Sequence, residues 1–357
     1  MKKPSLFGLK NSNRNFAIAE NWGKNQFNSS FPAALACYFY YKEVEAVYLE
    51  LNKALGIDLG KIGISELFGL DPLGSNTFYS FETPYAPYST LVEGDLPRID
   101  LVTINKVNGL AQHIQGIEVK LTALPDNQTV EGENVNYGSE LVVRPDTIVY
   151  LALSVARKYL SEQDALKSLL APLNEKITDW RSSSVVRPHL KLATDVLDRI
   201  LLEKIKCQVP LLMQPVWKTE GKTLVLHENC LDIFVWSDLA LSRLFVDVCR
   251  GSLTREPMTR HSRSVIWVVK MLSDFADTGK IAPAAVIDQL TYDTKNDKAF
   301  AVSGNITRKY MKSEELLNPR ISKKEIKNII LGGGEKLLSP ERRFDAAIMS
   351  NVGLFEK

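Results

Sequence analysis

The sequence predicts an α/β protein with a mixed central sheet flanked by helices and a mainly helical C-terminal portion. Alternating segments rich in β-branched residues cluster between residues 98 and 143. From about residue 160 the apolar residues recur mainly at helical spacing. With 357 residues and 45% hydrophobic content, the chain is long enough to bury a large core.

A β-hairpin is the clearest local prediction. Arg98 to Val107 and Leu110 to Leu121 both have strand character, and Asn108-Gly109 between them is a strong tight-turn signal. Glu140 to Val143 has the composition of a third strand.

The remaining elements follow from periodicity and breakers. Ala33 to Leu55, opened by Pro32, is predicted as one long buried helix. A turn-rich stretch follows from Asp71 to Tyr88. The further predictions are helices over Thr147 to Tyr159 (with Asp146 as cap), Asp195 to Ile205 and Trp236 to Val248, and short strands near Leu224 to Leu226 and Ser264 to Val269.

Two portions with a soft boundary near residue 165 are expected. Residues 1–165 carry the predicted sheet, residues 166–357 are mainly helical, and the two are expected to pack as one unit.

Composition excludes several classes of protein. The net charge is only +2, so contacts with nucleic acid would have to come from local basic clusters. The four cysteines form no CxxC pair, which argues against a structural zinc site and a disulfide framework. The most apolar window, residues 231–248, carries too many charges to span a bilayer. We therefore expect a cytoplasmic protein with no membrane partner.

Three charged residues on the predicted hairpin suggest chemistry. Glu118 and Lys120 are two apart on a strand, so they project from the same face, and their apolar neighbours point the other way. Asp100 interrupts an apolar run on the partner strand. Two carboxylates suit Mg²⁺, which prefers oxygen ligands, and a lysine could position a water and offset phosphate charge. A surface hairpin with a cross-strand salt bridge remains open on the pattern alone.

The register of this hairpin raises a geometric problem. A strict two-residue turn at Asn108-Gly109 places Asp100 opposite Ile117, which puts Asp100 and Glu118 on different faces. A one-residue bulge or a longer loop would correct the parity. Gly116 marks one place where a bulge could form.

The arrangement of Pro97, Asp100, Glu118 and Lys120 resembles the PD-(D/E)xK nuclease signature, with two residues between the proline and the aspartate. Wider segments resemble the HindVP-type family of type II restriction endonucleases. These segments are residues 25–32 (NQFNSSFP), 116–126 (GIEVKLTALPD), 137–145 (YGSELVVRP) and 333–345 (GGEKLLSPERRFD).

The resemblance implies a restriction-endonuclease-like core within residues 1–165 and Mg²⁺-dependent cleavage of double-stranded DNA at a short palindrome. It matches Asp100 and Glu118 to the metal ligands and Lys120 to the catalytic lysine. It further implies the degenerate site GRCGYC and a cognate DNA methyltransferase that protects host DNA. A palindromic site would be matched by a homodimer, each subunit cutting one strand.

Basic residues elsewhere are candidates for DNA contact. Arg255, Arg260 and Arg263 fall in one arginine-rich stretch, and arginine is the usual reader of guanine. A glycine-rich segment near the C-terminus precedes a second basic group, consisting of Lys336, Arg342 and Arg343. The first group could equally be a solvated loop and strand edge, and a flexible turn before a surface helix explains the second group slightly better than DNA contact does. A glutamate from the first long helix (Glu43, Glu45 or Glu50) could join the metal site, although a solvated helix face explains these residues as well.

Other classes of protein remain open at this point. A nuclease of repair or recombination would recognise DNA structure rather than sequence. A DNA-binding protein without catalysis would bind DNA but leave it intact. A carboxylate-pair hydrolase acting on sugars would need no divalent metal.

Overall fold

A computed structural model of the chain describes residues 24–119, 140–213, 217–220, 223–226, 234–292 and 300–303. The helices within these ranges are α1 (Lys24–Tyr41), α2 (Ile64–Phe68), α3 (Pro145–Lys158), α4 (Gln163–Asn174), α5 (Ser183–Val186), α6 (Leu190–Glu203), α7 (Asp238–Arg250), α8 (Arg260–Thr278) and α9 (Pro283–Gln289), with short 3-10 helices at Ala86–Leu91, Arg187–His189 and Ile205–Cys207.

The strands are β1 (Ala46–Leu51), β2 (Ile57–Ile62), β3 (Thr77–Thr83), β4 (Ile99–Val107), β5 (Leu110–Ile117), β6 (Glu140–Val143), β7 (Pro210–Met213), β8 (Trp217–Glu220), β9 (Thr223–Leu226), β10 (Phe234–Ser237) and β11 (Phe300–Ser303). The mixed α/β character predicted from the sequence is confirmed.

The strands do not form the single central sheet that was predicted. The hairpin belongs to an antiparallel sheet of order β3-β4-β5, whereas a separate mixed sheet has the order β2-β1-β10-β7. In the mixed sheet, β1 runs parallel to β10, and the other pairs are antiparallel. β5 approaches β7, so the two sheets meet at the strand that ends just before Glu118.

The hairpin itself is confirmed. Asn108 and Gly109 form its turn, and both have positive φ values, 52° and 79°. Positive φ at both central residues is the backbone of a type I′ turn, whose twist matches that of the flanking strands. β6 and β9 also lie where strands were predicted.

The first predicted helix was wrong in its extent. α1 begins at Lys24, contains Pro32 within it and ends at Tyr41, and Ala46–Leu51 forms β1 instead. Glu43 has a φ of 57°, a left-handed conformation that breaks the helix. β1 pairs with strands on both sides, and this tertiary pairing outweighs the apparent helical spacing.

The segment Ser264 to Val269 was also predicted wrongly, because it lies inside α8 rather than in a strand. Every residue from Ser262 to Val269 is buried. A short apolar run rich in β-branched residues fits a buried helix as well as a buried strand. α8 contacts α3, α4, α6 and α7, so it is buried on several sides.

Smaller differences concern element ends. β3 lies within the stretch predicted to be turn-rich. Asp146 lies in the first turn of α3, and the cap position belongs to Arg144.

Two later helices also begin elsewhere than predicted. Trp236 lies in β10, and α7 starts two residues later, where the Ser237 hydroxyl caps it by accepting from the backbone N–H of Ala240 at 2.9 Å. α6 starts at Leu190, before the predicted Asp195.

One hydrophobic cluster extends from Val47 to Tyr292 and includes residues of α3, α4, α6, α7 and α8. α3 lies before the predicted boundary near residue 165 and packs against α7 and α8, which follow it. The boundary itself stays a prediction. Within the described ranges, no helix combines the length and apolar character needed to cross a membrane.

Candidate active site

The hairpin contains the bulge that the register required. Ile104 pairs with His113, but Thr103 pairs with Gln115, so Ile114 is the extra residue. Beyond the bulge Leu101 pairs with Ile117. Continuing this register by one step places Asp100 opposite Glu118, and directly opposed residues share a face. The predicted bulge is confirmed, two positions before Gly116.

The hydroxyl of Thr103 joins the bulge to its surroundings. Thr103 is fully buried, its hydroxyl accepts from the backbone N–H of Gln115 at 3.2 Å, and it donates to the carbonyl of Phe68 at 2.8 Å. A bulge disrupts the ladder locally, and buried backbone groups need partners. This single side chain therefore satisfies one donor beside the bulge and one acceptor at the end of α2.

The two carboxylates have different environments. Asp100 is half-buried, and its Oδ2 accepts from the backbone N–H of Val119 at 2.7 Å. Glu118 is only 8% exposed, and its Oε1 accepts from the hydroxyl of Thr147 at 2.9 Å. A carboxylate oxygen of Asp100 thus lies within hydrogen-bond distance of the residue next to Glu118. Both acids therefore lie at the end of the hairpin away from its turn.

A cavity of about 200 Å³ lies beside Glu118. It is lined by side chains from β5, α3, β7 and the 3-10 helix Ala86–Leu91, including Glu118, Thr147 and three tyrosines, Tyr85, Tyr88 and Tyr150. Glu118 therefore borders open space as well as packed side chains. This leaves room for a ligand or water next to the carboxylate.

Two phenols near the site are held by backbone groups. The hydroxyl of Tyr150 donates to the carbonyl of Pro97 at 2.6 Å and accepts from the backbone N–H of Tyr85 at 3.1 Å. The hydroxyl of Tyr85 donates to the carbonyl of Ile114, the bulge residue, at 2.9 Å. Burial raises the pKa of Tyr150 to about 12, so this phenol keeps its proton and can donate near neutral pH.

None of the three candidate glutamates, Glu43, Glu45 and Glu50, completes a three-ligand site. Among the described residues, no group of three or more His, Cys, Asp or Glu side chains could hold a metal ion. Glu43 lies in the turn after α1, Glu45 lies just before β1, and Glu50 accepts from the side chain of Gln208 at 3.2 Å. All three are exposed, as the alternative of a solvated helix face expected, but none of them lies on a helix.

The other candidate residues differ in whether the structure describes them and in how exposed they are. Lys120 lies outside the described residues, as do Lys336, Arg342 and Arg343. Arg255 and Arg260 are exposed between α7 and the first turn of α8, but Arg263 is 6% exposed, with its guanidinium 5.9 Å from the ring centre of Trp267. The same helix therefore presents one arginine to solvent and buries another.

Sequence reasoning assigned no role to Thr147 and Tyr150. Thr147 was expected only as the start of a helix. The signal available in the sequence was the Arg144-Pro145 step, because proline in the first turn places the next few side chains at a helix N-terminus. Nothing in the spacing shows that this N-terminus meets Glu118.

Comparison with known proteins identifies relatives over nearly the whole chain. The family model described as HindVP restriction endonuclease matches residues 22–355. The type II restriction enzyme HgiDI of Herpetosiphon aurantiacus is 45% identical over 357 residues, covering 100% of this chain and 98% of that protein. The probable type II restriction enzyme HindVP of Haemophilus influenzae is 42% identical over 353 residues, covering 99% and 95%. No solved structure matches the chain.

Full-length similarity to these two enzymes shows that the chain is a type II restriction endonuclease. Because the family model spans nearly the whole chain, the protein belongs to the HindVP restriction endonuclease family. The resemblance noted in the sequence is confirmed.

Proposed function

We propose that the protein hydrolyses phosphodiester bonds in double-stranded DNA with Mg²⁺ as cofactor, and that Asp100 and Glu118 hold the metal. The observation that supports this most is the bulge at Ile114, because the register beyond it, continued one step past Leu101 and Ile117, would place Asp100 opposite Glu118. A regular hairpin with the same turn would separate the two acids onto opposite faces.

The donor set fits the metal. Mg²⁺ usually takes one or two protein carboxylates and completes its shell with waters and substrate phosphate oxygens. Two carboxylates match that pattern, and the cavity that Glu118 lines leaves space for the other ligands. When bound, Mg²⁺ supplies Lewis acidity, which makes water a better nucleophile and neutralises charge on the phosphate.

The chain's own residues would divide the work as follows. Asp100 and Glu118 bind the ion, with Glu118 held by Thr147. Lys120, two residues after Glu118, would position the attacking water and offset negative charge as the bond to phosphorus forms. A restriction-endonuclease-like core built on residues 1–165 would present this site to the DNA backbone.

The recognition sequence and the assembly are also proposals. We propose the degenerate palindrome GRCGYC as the site, read by a homodimer in the cytoplasm with a methyltransferase protecting host DNA. Among the described arginines, exposed Arg255 and Arg260 are better placed for DNA contact than buried Arg263. Lys336, Arg342 and Arg343 remain candidates for phosphate contact.

Plasmid digestion tests the proposal. Plasmids with and without GRCGYC are incubated with protein and Mg²⁺ or EDTA, and the fragment ends are sequenced. Cleavage should occur only with Mg²⁺ and only at GRCGYC. Cuts at branched or damaged DNA regardless of sequence would favour a repair or recombination nuclease. Binding without cleavage would indicate a non-catalytic DNA-binding protein, and cleavage in EDTA would contradict the metal site.

A further inference from the structure

One face of helix α3 contacts both Glu118 and the segment that leads into β4, the strand of Asp100. Thr147 and Tyr150 are three residues apart in its first turns, and side chains at this spacing are neighbours on a helix surface. The Thr147 hydroxyl donates to Glu118 at 2.9 Å, and the Tyr150 hydroxyl donates to the carbonyl of Pro97 at 2.6 Å. Pro97 leads directly into β4, which carries Asp100.

The hydrogen bond from Thr147 orients the carboxylate of Glu118. Thr147 is 1% exposed and Glu118 is 8% exposed, so water competes little for this hydrogen bond. Hydrogen bonds to a charged acceptor are about twice as strong as neutral ones. Because Thr147 is β-branched and lies in a helix, its side chain has few rotamers, and its hydroxyl limits rotation of the carboxylate.

The contact with Pro97 acts on the backbone. The Tyr150 hydroxyl also accepts from the N–H of Tyr85 at 3.1 Å, so one phenol joins the chain before the 3-10 helix Ala86–Leu91 to the chain before β4. Two bonds to two backbone segments fix where β4 begins relative to α3. The position of Asp100 follows from where this strand begins.

We propose that Thr147 and Tyr150 are positioning residues, through which α3 sets the distance between the carboxylates of Asp100 and Glu118. The inference rests on the proposed function, because it assumes that these two carboxylates hold Mg²⁺. A divalent ion tolerates little error in ligand distance, and Mg²⁺ demands near-ideal geometry. Loosening either carboxylate should therefore weaken metal binding before it affects DNA binding.

The test compares Thr147→Val with Thr147→Ser. Valine keeps the shape and loses the donor, whereas serine keeps the donor. For each variant we measure the Mg²⁺ concentration that gives half-maximal cleavage, DNA affinity without metal, and the melting temperature. Thr147→Val should raise that Mg²⁺ concentration about tenfold, as expected for losing a hydrogen bond to a charged group, and Thr147→Ser should stay within about twofold. DNA affinity without metal should not change.

Tyr150→Phe provides a second measurement with a matched control. It should also raise the Mg²⁺ requirement by severalfold. Tyr292→Phe removes a comparable buried phenol that donates to the carbonyl of Trp180 at 2.7 Å, away from the site, and should affect only thermal stability. If Thr147→Val does not fold, Thr147→Ala replaces it in the comparison with serine.

The outcomes separate this inference from the proposed function. If Glu118→Gln cleaves DNA like the wild type, the proposed function is wrong. If Glu118→Gln is inactive but Thr147→Val and Tyr150→Phe need no more Mg²⁺ than the wild type, only the positioning role is overturned. An equal defect in Thr147→Ser and Thr147→Val would also overturn it, because packing rather than the hydroxyl would then be responsible.

Discussion

Glu118 follows Ile117, the last and the only buried residue of β5, and lines the cavity. A carboxylate with 8% exposure is costly unless it is hydrogen-bonded, paired or bound to a metal. Thr147 supplies one partner, and the adjacent cavity leaves room for an ion. Asp100 is half-buried, so it is the more accessible of the two proposed ligands.

The first prediction concerns this pair. Asp100→Asn and Glu118→Gln should each lower the cleavage rate by at least about a hundredfold, because a neutral amide is a poor ligand for a hard divalent cation. DNA binding, measured by gel shift with Ca²⁺ in place of Mg²⁺, should survive. Lys120→Ala should likewise retain binding and lose cleavage.

Asp95→Asn is the matched control. Asp95 is an exposed carboxylate only five residues before Asp100, and its replacement should leave cleavage unchanged. Cleavage by Asp100→Asn at the control's rate would show that the pair is structural, as in the salt-bridged surface hairpin that the sequence left open.

The described cysteines give a second prediction at this scale. Burial raises the pKa of the Cys37 thiol to about 12 and also raises the pKa of Cys249, whereas Cys207 is exposed. Only the thiolate reacts, so a raised pKa and burial both slow modification. In native protein at about pH 8, a thiol reagent should label Cys207 and leave Cys37 and Cys249 unmodified, as read by peptide mass spectrometry. Fast labelling of Cys37 would contradict the packing of α1.

At the scale of elements, the bulged hairpin determines whether the site exists. The sequence predicted its strands, its turn and the need for an extra residue, because these follow from local pattern and parity. It did not predict that the extra residue is Ile114. That choice depends on contacts from other elements. Tyr85 donates to the carbonyl of Ile114. Thr103 accepts from the N–H of Gln115 and donates to the carbonyl of Phe68.

Thr103 offers the third prediction. Thr103→Val keeps the buried volume but leaves the N–H of Gln115 and the carbonyl of Phe68 without this partner, so it should lower the free energy of unfolding by about 2 kcal/mol. Thr103→Ser keeps the hydroxyl and should be the less harmful change at the bulge. Urea denaturation of both variants gives the comparison. Equal stability of Thr103→Val and wild type would mean that the hydroxyl does not support the bulge.

The elements predicted wrongly share a physical cause. Ala46–Leu51 lies between two strands of a sheet, with Tyr48 and Glu50 less buried than its other residues, and Ser264 to Val269 is buried throughout, so both take their conformation from their surroundings. Their conformation is decided by partners distant in sequence, namely β10 for β1 and the surrounding helices for α8. The bounds of α3 were predicted within two residues, since Pro145 marks its start, whereas α6 begins five residues before its predicted start.

At the scale of the whole molecule, a buried ion pair crosses the predicted boundary near residue 165. Lys158 of α3 and Asp238 of α7 are 2.7 Å apart, with side chains 7% and 1% exposed. Asp238 also accepts from Ser154 and from the backbone N–H groups of Val209 and Leu239. Helix α3, which contacts the candidate site, is therefore joined by this ion pair to α7 in the helical portion.

Removing this pair gives the fourth prediction. Lys158→Met should lower the free energy of unfolding by about 3–5 kcal/mol, because it leaves the buried Asp238 without its cation. The control is Lys167→Met, which breaks an exposed pair with Asp277 and should leave the free energy of unfolding close to that of the wild type. Similar values for both variants would contradict a shared, tightly packed core.

The location of the metal tests the central claim most directly. We expect crystals of the protein grown with Mn²⁺ in place of Mg²⁺ and a GRCGYC duplex to show an anomalous peak between Asp100 and Glu118, with oxygens of both about 2.0–2.2 Å from the ion. A peak at other residues, or an ion bound by only one of these two carboxylates, would contradict the account.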